Sequence, residues 1–414
     1  MPFINELIKN DNELLSIKKV LKEDNRFLEK TGLFNIFKKH VIKSKNISFT
    51  SRSKATFAAY PSLEKPTILC QLDKVQSIDY ANRFLLPKPI GLSGLIKSTL
   101  SAIAGISYEF DEFIIIDNSY YEELLNSEAV KSVISDNPSF IELCTSHPTL
   151  LIFDEKNLKP PVVFRNLPLT RHKQVERCRQ LCVLNSNLFP QPVLIEEKNA
   201  SITFIEQLAV GTPWFQLQHT LNSNQIRELS IEALTQFEWT VQKAPNWSEA
   251  INLYDTGIRL AEEVLPSVTL SAIQRQVILE QCEKMKTYES INVQFQHGDF
   301  SINNLIFTHD GCRIIDLEDF GELNLPLFDY ISLAISFSDN FSNNLSAENV
   351  LNELNLILQR VRATQSDLYI KHCLLLFILS RFGKWSDNPN RKQFSHKLEI
   401  ILTELLKLIS IQIV

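Results

Sequence analysis

The sequence predicts an α+β protein in three stretches: a mixed α/β stretch over residues 1–135, a strand-rich lobe over 136–208 and a helix-rich lobe over 209–414. Three observations carry this expectation. Short apolar runs bounded by turn residues recur between 139 and 208, with one helical period among them. From 222 onward, apolar residues return at helical spacing in one run after another. Residues 293–330 interrupt those helices with two short apolar runs, 304–307 and 312–315, around a His-Asp-Gly turn at 309–311.

Residues 1–46 read as one or two helices, with Asn12 placed to cap the segment 13–21 and a break at Thr31-Gly32. Lys38, Lys39, Lys43 and Lys45 make the end of this stretch basic, which suits a solvated helix C-terminus. Weak alternation over 47–75 suggests two short strands. An amphipathic helix over 92–106, a buried strand over 110–117 and a helix over 120–135 follow. Nothing in 1–135 carries recognisable chemistry.

In the next lobe, strands are expected over 140–145, 149–153, 162–165, 193–196 and 201–206, with a helix over 171–185. Its apolar face carries Val175, Cys178, Cys182 and Val183. Helices are then expected over 222–241, 250–264 and 271–286 before the hairpin, and over 326–338, 346–362, 364–383 and 390–412 after it. The Asn- and Ser-rich segment 338–349 reads as a loop.

Polar residues gather at both ends of the hairpin. His297-Gly298-Asp299 precedes Asn304 by a fixed spacing, and Asp316-Leu317-Glu318-Asp319 follows the second strand. Folding the hairpin returns Asp316 to the side of Asn304, which offers two oxygen ligands of the kind Mg²⁺ takes together with phosphate oxygens. Asp299 then stands where a carboxylate can accept a proton from an attacking hydroxyl.

His-Gly-Asp-x4-Asn followed by Ile-Asp-x-Glu resembles the signature of aminoglycoside phosphotransferases and choline kinases, the small-molecule branch of the protein-kinase-like fold. The resemblance implies a two-lobed protein-kinase-like fold with an extra N-terminal region, and an ATP- and Mg²⁺-dependent phosphotransferase. The acceptor would be a hydroxyl of a sugar, aminoglycoside or amino alcohol. It makes Asp299 the catalytic base. It gives Asn304 and Asp316 to one metal, and Glu318 to a second metal or its water shell. His297 and Asp329 become braces of the catalytic loop. Arg165 falls where the family has a lysine on the nucleotide phosphates, and Glu206–Leu208 falls at the hinge where backbone groups bond adenine. The helix offers Glu176 as the partner of that cation, with Gln180 as the alternative alignment. Arg in place of Lys keeps the charge but presents a larger planar fork. Two other readings stay open: an atypical protein kinase, and a kinase-like scaffold with little activity.

Composition narrows the classes. With 44% apolar and 22% charged residues, the 414-residue chain is ordinary for a globular protein. Its formal net charge of −6 argues against a general nucleic-acid binder. No apolar run approaches the length of a membrane span, and the N-terminus lacks a signal-peptide core. The seven cysteines are scattered, which suits free thiols and a cytoplasmic protein.

Overall fold

The computed structural model describes residues 54–60, 67–71, 74–86, 112–117, 128–134, 138–144, 149–156, 158–198, 201–217, 220–244, 246–266, 268, 270–342, 344–385 and 392–411. The helices expected over 1–46 and 92–106 lie outside these residues. The chain divides into two compact units, Met1–His172 with Gln191–Leu208, and Lys173–Pro190 with Ala209–Val414.

The first unit is built on one sheet of eight strands: β1 (Lys54–Tyr60), β2 (Ile68–Gln71), β3 (Glu112–Asp117), β4 (Pro138–Leu143), β5 (Thr149–Asp154), β6 (Val162–Pro168), β7 (Pro192–Lys198) and β8 (Ser201–Gln207). Their order is β3-β1-β2-β4-β5-β6-β8-β7, antiparallel throughout. Cys70 pairs with Ile141 and Ile68 with Leu143, so the boundary expected after residue 135 runs through a continuous hydrogen-bonded ladder.

Side chains alternate across this sheet with the period of two that a strand imposes. Leu69, Phe140, Leu150, Ile152, Val162, Phe164 and Ile205 fill one layer, together with Val130 and Ile134 of the α2 segment (α2, Glu128–Val133). Ile68, Cys70, Ile141, Leu151, Phe153 and Val163 fill the other, with Ala81 and Leu86 beyond α1 (Val75–Tyr80). Burial on both faces is why the strand 149–154 reads TLLIFD, a run without polar alternation.

The second unit is helical. It begins with α3 (His172–Leu184), which the sequence places among the strands of the middle lobe. Its buried residues Cys178, Leu181 and Cys182 belong instead to the large helical core. There follow α4 (Ser223–Gln242), α5 (Leu253–Val264), α6 (Ala272–Lys284), α7 (Phe328–Phe341), α8 (Ala347–Arg360), α9 (Asp367–Trp385) and α10 (Lys392–Ile411). Asn222 and Ser271 close capping boxes on α4 and α6. Leu374–Leu379 of α9 are all buried, so this helix is apolar around its whole circumference rather than along one stripe.

Three short strands complete the unit's central ladder. β9 (Thr212–Pro213) pairs with β12 (Leu305–Thr308), which pairs with β13 (Gly311–Ile314). A separate pair, β10 (Ser248–Ile251) with β11 (Ile291–Gln294), shortens the helix expected over 250–264. The loop expected over 338–349 is mostly helix. Ser346 accepts the amide of Asn349 at 3.1 Å and caps α8, and the Asn340 side chain donates to the Ser336 carbonyl on α7 at 2.8 Å. The Asn and Ser residues there terminate helices and start them. α9 runs two residues beyond the helix expected over 364–383.

Candidate active site

The site grows from the loop between β11 and β12. Gly298 has φ of +84°, and a Cβ there would lie 2.6 Å from the Asp319 carbonyl oxygen, so glycine is required on both conformational and steric grounds. The amides of His297 and Gly298 donate to the two carboxylate oxygens of Asp329, at 2.6 and 3.1 Å. Asp329 sits in the first turn of α7 and is buried. Burial pushes its carboxyl up from the ordinary range, against the pull of His297, the two backbone donors and Arg381.

His297 is fully buried against the rings of Phe237 and Phe300. Its Nε2 lies 3.1 Å from the Ile315 carbonyl, while the Asp299 amide lies 3.3 Å from its Nδ1. A carbonyl can only accept and an amide can only donate, so this pattern fixes a tautomer with the proton on Nε2. His297 thereby ties the strand leading to Asp316 to the loop that carries Asp299.

The hairpin joins the remaining groups. Asn304 Nδ2 donates to the Asp299 carbonyl at 2.8 Å and lies 3.4 Å from its Oδ2. The Ile315 amide donates to the Asn304 carbonyl at 3.0 Å, which sets Asp316 one residue beyond the pairing. Asp316 has φ of 64° and ψ of 57°, a left-handed conformation that asparagine and aspartate tolerate better than most side chains. It opens the turn Leu317–Asp319, with Glu318 at its centre. With Nδ2 of Asn304 engaged, its Oδ1 remains as a ligand oxygen. An amide oxygen and carboxylates are, by their chemistry, donors that fit Mg²⁺ rather than zinc. Among the described residues no group of three His, Cys, Asp or Glu side chains forms a ready-made cage, so phosphate oxygens would have to complete such a coordination shell.

α3 is anchored to the same turn. Cys178 Sγ donates to the Leu317 carbonyl at 3.3 Å, and Arg177 donates to the Gly321 carbonyl at 3.2 Å while lying over the Phe295 ring. Glu176 on this helix forms an ion pair with Arg179 at 3.0 Å.

In the first unit, Arg165 pairs with Glu206 at 2.5 Å, both side chains largely buried. The acid holding this cation within its own unit thus comes from β8. At the expected hinge, the Leu208 amide donates to the Pro161 carbonyl at 2.9 Å. The ladder between β6 and β8 thus extends one residue further and uses this amide.

Sequence reasoning missed Arg381. Its side chain is fully buried on α9, its guanidinium lies over the rings of Phe328 and Phe377, and Nη2 donates to the Gly298 carbonyl. The same nitrogen is 3.7 Å from Asp299 Oδ1. The signal was a charged residue just after the apolar run 373–379 of a helix, where a cation needs a buried partner.

Residues 217–360 match the phosphotransferase enzyme family, which spans the hairpin, the His-Gly-Asp loop and α7. None of the curated proteins matches the chain. Among solved structures, a thermostable mutant of the aminoglycoside phosphotransferase APH(4)-Ia, in ternary complex with ADP and hygromycin B, is similar at 12% identity. The alignment covers 70% of this chain and 98% of that one, with a TM-score of 0.50. Choline kinase from Cryptosporidium parvum aligns at 15% identity over 72% of this chain and 96% of its own, with a TM-score of 0.49.

Proposed function

Because residues 217–360 carry the phosphotransferase-family pattern within a protein-kinase-like fold, we propose that this chain is an ATP- and Mg²⁺-dependent phosphotransferase acting on a hydroxyl of a small molecule. One observation carries the reading: Asn304 is bonded through its side chain to Asp299 and through its backbone to Ile315, so base, amide and hairpin end meet at one corner.

Asp299 takes the proton of the acceptor hydroxyl as that oxygen bonds to the γ-phosphorus and the bond to the departing ADP oxygen breaks. Asn304 and Asp316 would hold Mg²⁺, and Glu318 would serve a second ion or its water shell. When bound, the ion supplies positive charge to the phosphate oxygens. His297 and Asp329 keep the Asp299 loop in place through the backbone contacts described above. Residues 136–208 act as the nucleotide-binding lobe and 209–414 as the catalytic lobe. Arg165 is the cation for the nucleotide phosphates, and Glu206 orients its guanidinium. Since the Leu208 amide is engaged, adenine contacts at this hinge would fall to its carbonyl. Glu176 supports its own helix through Arg179.

A small acceptor suits the short passage from Gly321 to the start of α7 at Phe328, which leaves little chain for a segment that grips a polypeptide. Seven free cysteines suit a cytoplasmic setting. No helix among the described residues is long and apolar enough to cross a membrane.

The test is nucleotide turnover with Mg·ATP across a panel of hydroxyl compounds. Asp299→Asn should lower kcat by about 10³-fold or more with little change in melting temperature. Wild-type turnover in this variant overturns the assignment of the base.

A further inference from the structure

A cavity of about 260 Å³ opens beside Asp299, entirely within the helical unit. It is lined by hydroxyl and amide side chains: Ser301, Ser332 and Ser336, with Asn303, Asn304 and Asn340. The charged groups at its wall are Asp299, Asp339 and Arg381. Each carboxylate has a cation beside it. Lys397 Nζ lies 2.7 Å from both oxygens of Asp339, and Arg381 lies 3.7 Å from Asp299.

The polar neighbours are pre-aimed. Asn303 Oδ1 accepts the Trp214 indole N–H at 2.7 Å, so its amide nitrogen is the end left to donate. Asn340 spends its nitrogen on the Ser336 carbonyl at 2.8 Å, so its oxygen is the end left to accept. Ser336 Oγ accepts the Ile302 amide at 3.1 Å and keeps its own proton to give. A wall that offers both donors and acceptors matches a compound with several hydroxyls, each of which both donates and accepts.

Resting on the phosphotransferase reading, we infer that this cavity takes an uncharged polyhydroxyl acceptor of monosaccharide size rather than a cationic amine. A cationic acceptor gains most from a carboxylate without a counter-ion or from a cage of aromatic faces. Here Lys397 already neutralises Asp339, and Phe377 is the one aromatic side chain in the lining among the described residues. The volume lies below the ~300–1,000 Å³ typical of pockets for larger ligands, which favours one sugar ring over several.

The experiment compares matched acceptors, D-glucose against D-glucosamine with its amine protonated, in Mg·ATP turnover by the full chain. The neutral sugar should lead by about tenfold or more in kcat/KM, a difference of about 1.4 kcal/mol. An equal or better ammonium analogue overturns the inference while leaving the phosphotransferase reading intact. So does binding of Mg·ATP with turnover of amines alone. Failure to bind Mg·ATP at all removes the phosphotransferase reading, and this inference with it. Lys397→Met releases the Asp339 carboxylate and should shift the ratio toward glucosamine by about tenfold. Asp339→Asn leaves Lys397 in excess and should shift it the other way. Unchanged ratios in both folded variants overturn the role given to this ion pair.

Discussion

The two units each bury an arginine, and they balance it differently. In the sheet, Arg165 meets Glu206 side chain to side chain. In the helical unit, Arg381 donates to the backbone of Gly298 and stands near two acids, Asp299 and Asp329. A further acid, Glu238, accepts the Tyr330 hydroxyl at 2.5 Å close to Asp329. The first arrangement is a contact between two side chains, each with rotatable bonds of its own. The second is a fixed post: its cation props up a main-chain turn, and the acids around it outnumber it. Burial there pushes the carboxyls of Asp329 and Glu238 up from the ordinary range.

The sharpest way to break the comparison is to remove the post. Arg381→Met leaves the Gly298 carbonyl without its donor and Asp329 without a nearby cation, and should destabilise the protein by about 3–5 kcal/mol in urea unfolding. A loss below 1 kcal/mol would mean that Arg381 is incidental to the loop.

The next effect is on pH dependence. Burial first, and the Asp329 charge in addition, push Glu238 up to about 7, with the Tyr330 bond opposing them. The folded chain then holds a proton that the unfolded chain has already released between about pH 4.5 and 7. Stability from this group is therefore full below that window, falls as pH rises through it, and is flat above. Its size is about 3 kcal/mol, from 1.36 kcal/mol per pH unit. Glu238→Gln should remove that share of the slope when unfolding free energies at pH 5 and pH 7.5 are compared. An unaltered slope would show that Glu238 is ionised throughout.

The smallest effect belongs to the sheet. Arg165→Lys keeps the charge opposite Glu206 but gives up the planar fork. Stability should stay within about 1 kcal/mol, while calorimetric affinity for Mg·ATP moves by no more than about tenfold. A complete loss of binding would make the fork itself the recognition element.

What was legible follows from sequence distance. The hairpin, its glycine turn and the span from His297 to Asp316 lie within a short segment, and their pairing is dictated by local alternation. Asp329 is named from the family resemblance rather than from the residues themselves. Arg381 lies far downstream, and only the packing of α9 beneath the loop brings it near Asp299. The pairing of β2 with β4 is equally non-local: both strands read as strands, but nothing in either names its neighbour. The Leu208 amide shows a subtler limit, because one extra rung of a ladder changes which atoms are free without changing the pattern of residues.

Because β2 lies against β4, strands from the first 135 residues are part of the sheet's own wall. A shortened chain starting at residue 136 would present β4 with a row of bare amides and carbonyls along one side. Such a row invites a second copy to zip onto it, so the expected outcome is self-association rather than a smaller working enzyme.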